Sequence, residues 1–229
     1  MTHSQPHESS LLVPANFVRA IRESGYVSLA TALAELIDNS LQAGSTNVAI
    51  TVRRDRPDSL PTIVVEDNGV GMNGVELADC LRFGGSARFD SRSSFGRFGM
   101  GLPAASLSQA RQVEVTAWSL GSPAQTVSLD VDAVVGESGA MLELRPGISG
   151  ASHSGCRVVW SGCDRIEYQR LAWLERSLRR DLGRMFRRFL AGDLTLTLNG
   201  ESVQPVDPML LSTKVNGYSG QLAFEPLLY

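Results

Sequence analysis

Three residue types that often announce a site are scarce in this chain. Among its 229 residues there are only three cysteines, Cys80, Cys156 and Cys163. The number is odd and no CxxC spacing occurs, which argues against a disulfide framework or a structural zinc site and for a reducing compartment. Histidine also occurs three times, as His3, His7 and His153, too few for a histidine-rich metal centre. Lysine appears once, as Lys214; every other basic side chain is arginine, which reads as codon bias. No apolar run approaches the ~18–20 residues that cross a bilayer. The start, "MTHSQPHESSLLVPANF", lacks a basic stretch followed by a sustained apolar core and so does not read as a secretory signal. A cytoplasmic location is the expectation. A net charge of −3 predicts no strong nucleic-acid or membrane-surface partner for the chain as a whole.

With 43% hydrophobic and 20% charged residues, the composition is that of an ordinary soluble globular protein. Short helices are expected at 16–24, 28–43, 73–82 and 100–109, and a long one over 165–190. Strands are expected at 47–54, 62–67, 112–119, 125–131, 141–145 and 156–160. A final hairpin in "LTLTLNGESVQP" turns at Asn199-Gly200. Helices followed by mainly antiparallel strands predict an α+β two-layer sandwich, with a mostly antiparallel mixed sheet and helices on one face.

Three stretches carry the chemistry. In "ALAELIDNSLQAGS" (32–45), Glu35 and Asn39 stand one helical turn apart, on one face and about 5–6 Å from each other. Leu29, Leu33, Leu36, Ile37 and Ser40 form the buried stripe. "VVEDNGVGM" (64–72) places Asp67 at the end of a buried strand, where a carboxylate can accept from an exocyclic amine. Gly69 and Gly71 then permit close backbone approach to a flat ligand. "FGRFGMGLPAAS" (95–106) sets Gly96, Gly99 and Gly101 before a helix, whose unpaired N–H groups suit phosphate. Each stretch alone also reads blandly, as a solvated helix face, a hairpin turn and a surface loop. A nicotinamide-type fingerprint fails for want of a βαβ unit, and a Walker loop for want of Gly-Lys-Ser/Thr.

In this order the three motifs resemble the ATP-binding domain of the GHKL superfamily, which takes in gyrase, the large heat-shock chaperone, histidine kinases and MutL. "ELIDNS", "DNGVGM" and "GRFGMGL" match its first, second and glycine-rich third motifs. "FGGSAR" ahead of the third is closest in style to MORC-type ATPases. The later "GCRVVWSGCDRI" and "LTLTLNGESVQPVDP" extend the likeness over most of 14–208. The resemblance implies a Bergerat-type fold over 14–200, after a loose tail at 1–13 and before an extension at 201–229 that begins a following domain.

It also implies roles. Asn39 would coordinate Mg²⁺, and Glu35 would deprotonate the water that attacks the γ-phosphate. Asp67 would bind the adenine amino group, with Gly69, Gly71 and Met72 shaping the pocket and Cys156 beside it. Gly96, Gly99, Met100, Gly101 and Leu102 would hold phosphates. The span from Gly84 to Phe98 would be a lid, with Ser86 and Arg88 as phosphate contacts. ATP is then the substrate and Mg²⁺ the cofactor, with a nucleotide-linked homodimer as partner. The chain departs from the family at three positions, having Cys156 for a common threonine, Gln42 for a common acid and Pro103 for a common lysine. No equivalent of a catalytic lysine stands out.

Two other readings use the same pocket: a nucleotide-binding module without turnover, and a histidine-kinase-type catalytic domain. Members of the latter usually carry an amide at the position of Glu35. A third function, nucleic-acid binding, would use the helix in "LERSLRRDLGRMFRRFL". It sets Arg176, Arg180, Arg184 and Arg187 on one face, against Leu171, Leu178, Leu182, Met185 and Phe189 on the other. A solvated amphipathic helix explains the same pattern.

Overall fold

The computed structural model describes residues 13–83, 100–136, 142–166, 170–209 and 220. The tail at 1–12 and the span 84–99, which holds Ser86, Arg88, Gly96 and Gly99, lie outside the described residues. The helices are α1 (Pro14–Ser24), α2 (Leu29–Gln42), α3 (Gly74–Asp79), α4 (Gly101–Gln109), α5 (Val131–Gly136), α6 (Leu171–Met185) and α7 (Arg187–Leu190). The strands are β1 (Asn47–Arg53), β2 (Thr62–Asp67), β3 (Gln112–Ser119), β4 (Ser122–Asp130), β5 (Arg145–Pro146), β6 (Gly155–Ser161), β7 (Thr195–Leu198) and β8 (Glu201–Ser202).

The strands form one eight-stranded sheet in the order β5-β4-β3-β6-β2-β1-β7-β8. All neighbours run antiparallel except β1 and β7, which are parallel. Strand β1 shows why one face is covered: Val48, Ile50 and Val52 are buried while Asn47, Ala49, Thr51 and Arg53 are exposed. That alternation is what a sheet with helices on one side and water on the other requires. The buried row meets Leu33, Leu36 and Ile37 of α2 and Leu174, Leu178 and Leu182 of α6 in one continuous core. This is the expected α+β two-layer arrangement.

Helix α2 begins where Ser28 Oγ accepts the Thr31 N–H at 3.2 Å, an N-cap that satisfies one of the orphan donors. It ends before Gly44, which takes φ +73°. Helix α3 opens on a capping box between Asn73 and Glu76, again a purely local signal.

The register places the site. Asp67 at the end of β2 pairs with Val48 on one side and Cys156 on the other, and Cys156 pairs with Ala117 of β3. Asp67 therefore sits in mid-sheet on the face under the helices.

The long C-terminal helix is shorter than expected and broken. It starts at Leu171 and stops at Met185, and Phe186 turns into the core at 3% exposure before α7. Because Phe186 takes the buried position, Met185 and Phe189 are 40% and 51% exposed, not part of the apolar face as expected. The strand expected at 141–145 is the two-residue β5, and α5 was not anticipated.

Candidate functional site

Helix α2 reaches both of the other motifs. At its C-terminal end Ser40, 4% exposed, donates to Asp67 Oδ2 at 2.9 Å. The same hydroxyl lies 3.0 Å from the Leu36 carbonyl oxygen, so its one proton is shared. Asp67 Oδ1 accepts the Gly69 N–H at 2.8 Å, and the Cys156 N–H donates to the same carboxylate. A carboxylate has about four lone-pair positions, so these donors leave room for about one more. Burial of Asp67, to 9% exposure, raises its pKa above the usual aspartate range despite the three donors. The ionised form is costly there because desolvation outweighs the hydrogen bonds.

The turn after Asp67 is fitted to protein, glycine by glycine. A Cβ on Gly69 would lie 2.8 Å from the Ala43 Cβ, and Val70 N–H donates to the Ala43 carbonyl at 3.0 Å. Gly71 takes φ +74°, and a Cβ there would lie 2.1 Å from the Trp118 carbonyl oxygen. Backbone cannot yield as a side-chain tip can. Gly71→Ala should therefore destabilise by roughly 2–4 kcal/mol, combining left-handed strain with overpacking. Thermal unfolding checks this, with a lowered midpoint expected. Met72 packs half-buried against the core.

The opposite end of the site is the start of α4. A Cβ on Gly101 would stand 2.6 Å from Glu35 Oε2, so the carboxylate lies directly against the first residue of that helix. Among the described residues no side chain caps α4, and Pro103 brings no N–H, so Gly101 and Leu102 supply the first-turn donors. A helix start of this kind favours negative charge. Met100, the N-cap residue, is 45% exposed. Burial first, and then the neighbouring Glu35, push the Tyr26 phenol up to about 12. Burial, and then the Glu35 charge, also raise the carboxyl of Asp38.

Asn39 is exposed on α2 one turn beyond Glu35, and no hydrogen bond engages its side chain among the described residues. Its amide oxygen is a hard donor of the sort Mg²⁺ accepts. That ion commonly takes one or two protein ligands and completes its shell with water and substrate phosphates. Among the described residues no group of three or more His, Cys, Asp or Glu is set to hold a metal, so a lone amide ligand fits Mg²⁺ better than a metal needing a protein cage. The thiol of Cys156 is pushed well above its ordinary range by burial first and by Asp67 second. It stands beside Asp67 as a neutral group.

Sequence reasoning missed four contributors. Ser40 was read as part of the apolar stripe, although a hydroxyl on a buried stripe itself signals a polar partner. Asn68 Oδ1 accepts from Ser45 Oγ at 2.8 Å, Thr46 N–H at 3.0 Å and Asn47 N–H at 2.9 Å, tying the α2–β1 loop to the second motif. Tyr26 and Gln109 are joined across α4, with Gln109 Nε2 donating to the Tyr26 carbonyl at 3.0 Å. That contact joins residues 83 apart in sequence, and no local pattern reports it.

Comparison with known proteins shows which proteins the chain is similar to. Protein MICRORCHIDIA 4 of Arabidopsis thaliana is 33% identical over 93 residues, covering 39% of this chain and 12% of its own length. Protein MICRORCHIDIA 5 of the same plant is 32% identical over 106 residues, 43% of this chain and 15% of its own. Protein MICRORCHIDIA 7 is 31% identical over 74 residues, 31% and 10% respectively. The chain thus aligns with less than a fifth of the length of each of these relatives. The family described as histidine kinase-, DNA gyrase B- and HSP90-like ATPase matches residues 27–149, which include all three motifs. The chain belongs to that ATPase family.

Proposed function

We propose that this chain binds ATP with Mg²⁺ and hydrolyses it. One observation carries the reading: α2 holds Ser40 on Asp67 and Glu35 on Gly101, so a single rigid helix joins an amine-accepting end to an anion-favouring end. Asp67 would accept from the adenine amino group with its remaining lone pair. Gly101 and Leu102 would offer backbone N–H groups to phosphate. Glu35, held against the start of α4, would orient the attacking water and take its proton. Asn39 would hold Mg²⁺, which when bound supplies neutralisation of phosphate charge. Closure of residues 84–98 over the nucleotide, pairing of two copies and a cytoplasmic setting complete the reading. The first two rest on the family, and the last on three unpaired cysteines and on the absence of any helix long and apolar enough to cross a membrane among the described residues. The arginine face of α6 stays outside it, since Arg180 pairs with Asp181 at 3.0 Å and Arg176 lies over Trp173.

Phosphate release by the purified chain in Mg²⁺ and ATP tests the proposal. Turnover supports it. Saturable binding of a non-hydrolysable analogue without turnover would instead favour the nucleotide-binding module, and stable transfer of phosphate to protein the kinase-type reading.

A pH dependence follows from Asp67. Its ionised form is the one that accepts from an amine, and burial makes it hold its proton more tightly than usual. Acidification should therefore weaken analogue binding at a higher pH than an ordinary aspartate would. The Asp67→Asn variant, with no carboxyl to titrate, supplies the reference curve. Stability moves the other way, because the folded state binds this proton more tightly than the unfolded chain. Ionised Asp67 costs stability above its folded pKa, and protonation relieves that cost.

A further inference from the structure

We propose that Arg22 is a positioning residue for the phosphate end of the site, acting from the far end of α4. The inference rests on the reading of Gly101 and Leu102 as phosphate donors, and deepens it. Arg22 stands in the last turn of α1, and its side chain is 10% exposed. Its Nη1 donates to the Leu107 carbonyl at 2.9 Å and to the Ala110 carbonyl at 2.7 Å. A helix end leaves its last carbonyls without partners inside the helix, and a cation there also meets the negative end of the helix dipole. Nη2 donates to both oxygens of Asp164, at 2.7 and 2.9 Å. Asp164 is held in turn by Arg111 Nε at 3.1 Å, just ahead of β3. One guanidinium thus ties the closing turn of α4 to the connection that follows β6.

Helix α4 is also held at its middle. Ser106 and Trp160 are both fully buried, and the Trp160 indole N–H donates to Ser106 Oγ at 2.9 Å. From Ser106 to Gly101 is about 7.5 Å along the axis, and from Ser106 to Ala110 about 6 Å, at a rise of about 1.5 Å per residue. A short helix fixed at its centre acts as a lever. Movement at the clasped end returns at nearly equal size at Gly101. That position has little room, since a Cβ there would stand 2.6 Å from Glu35 Oε2. The adenine end does not ride on this lever, because Asp67 and Ser40 belong to β2 and α2. Arg22 therefore sets the phosphate end and not the base end.

Arg22→Gln removes the charge and the two-pronged donor while keeping part of the stem. Calorimetric titrations of adenosine, and of a non-hydrolysable ATP analogue with Mg²⁺, read the two ends separately. The expected result is analogue affinity lower by about tenfold, the worth of about one hydrogen bond to a charged group, with adenosine affinity unchanged. Arg22→Lys keeps a cation at the helix end and should recover part of the loss. A merely structural role would weaken adenosine and analogue by the same factor, and that outcome would overturn the proposal. An Arg22→Gln protein that binds both as wild type does would overturn it too. Should Arg22→Gln fail to fold, Asp164→Asn decides. Its expected loss is about threefold for the analogue alone, since a neutral acceptor holds the guanidinium about half as strongly, and wild-type affinity for both compounds would overturn the proposal. A folded wild type that binds neither compound would overturn the reading of the site, and this inference with it.

Discussion

Glu35→Gln should reduce phosphate release by about 10²–10⁴-fold, the usual worth of a positioned general base, while leaving affinity for a non-hydrolysable ATP analogue unchanged. The amide keeps the shape of the carboxylate, so the surroundings of the site need not move. What it cannot do is take a proton from water. The effect should fall on kcat, because a proton transfer made only in the transition state contributes nothing to ground-state binding. Single-turnover phosphate release and analogue titration on the same preparation separate the two quantities. A variant that binds and turns over like wild type would leave Glu35 as a side chain resting on a helix end.

Gly101→Ala should separate activity from stability in an unusual direction. The added Cβ would meet Glu35 Oε2 at 2.6 Å, and the atom that must give way is the tip of a flexible side chain. The fold is therefore spared, and alanine in place of glycine in a helix gains up to about 1 kcal/mol. The carboxylate, however, must move by about 1 Å, at a cost on the order of 10–100-fold in kcat. The melting midpoint should stay constant or rise slightly while phosphate release falls. Thermal unfolding and turnover measured side by side check it. Gly71→Ala should do the reverse in part, since its clash is with the Trp118 backbone and destabilises the fold itself. The two glycines look alike in the motifs but are crowded by different kinds of atom.

Much of this was legible beforehand for a physical reason. The alternation Val48, Ile50, Val52 and the stripe Leu33, Leu36, Ile37 are local periodicities that burial enforces directly. The order of three motifs placed Glu35, Asp67 and Gly101 in one site, and the structure brings those residues together through α2. What was not legible depends on distant chain. The helix over 171–190 breaks because Phe186 is drawn into the core, where neighbouring elements and not helical periodicity decide the outcome. Ser40 looked like a tolerated small residue until Asp67, 27 positions away, proved to be its partner. Tyr26 sits in a short connection, its carbonyl held by Gln109 of α4. Gly183 lies within α6, and a Cβ there would press on the Gln204 carbonyl oxygen, so it is the chain after β8 that demands a glycine.

The central claim is that Asp67 is the adenine-reading end of a nucleotide pocket. Calorimetric titration of Mg²⁺ and a non-hydrolysable ATP analogue into wild type and Asp67→Ala tests it most directly. The account predicts saturable binding at one site in wild type, and its loss in a folded Asp67→Ala. Equal binding by both proteins, or none by folded wild type, would contradict it.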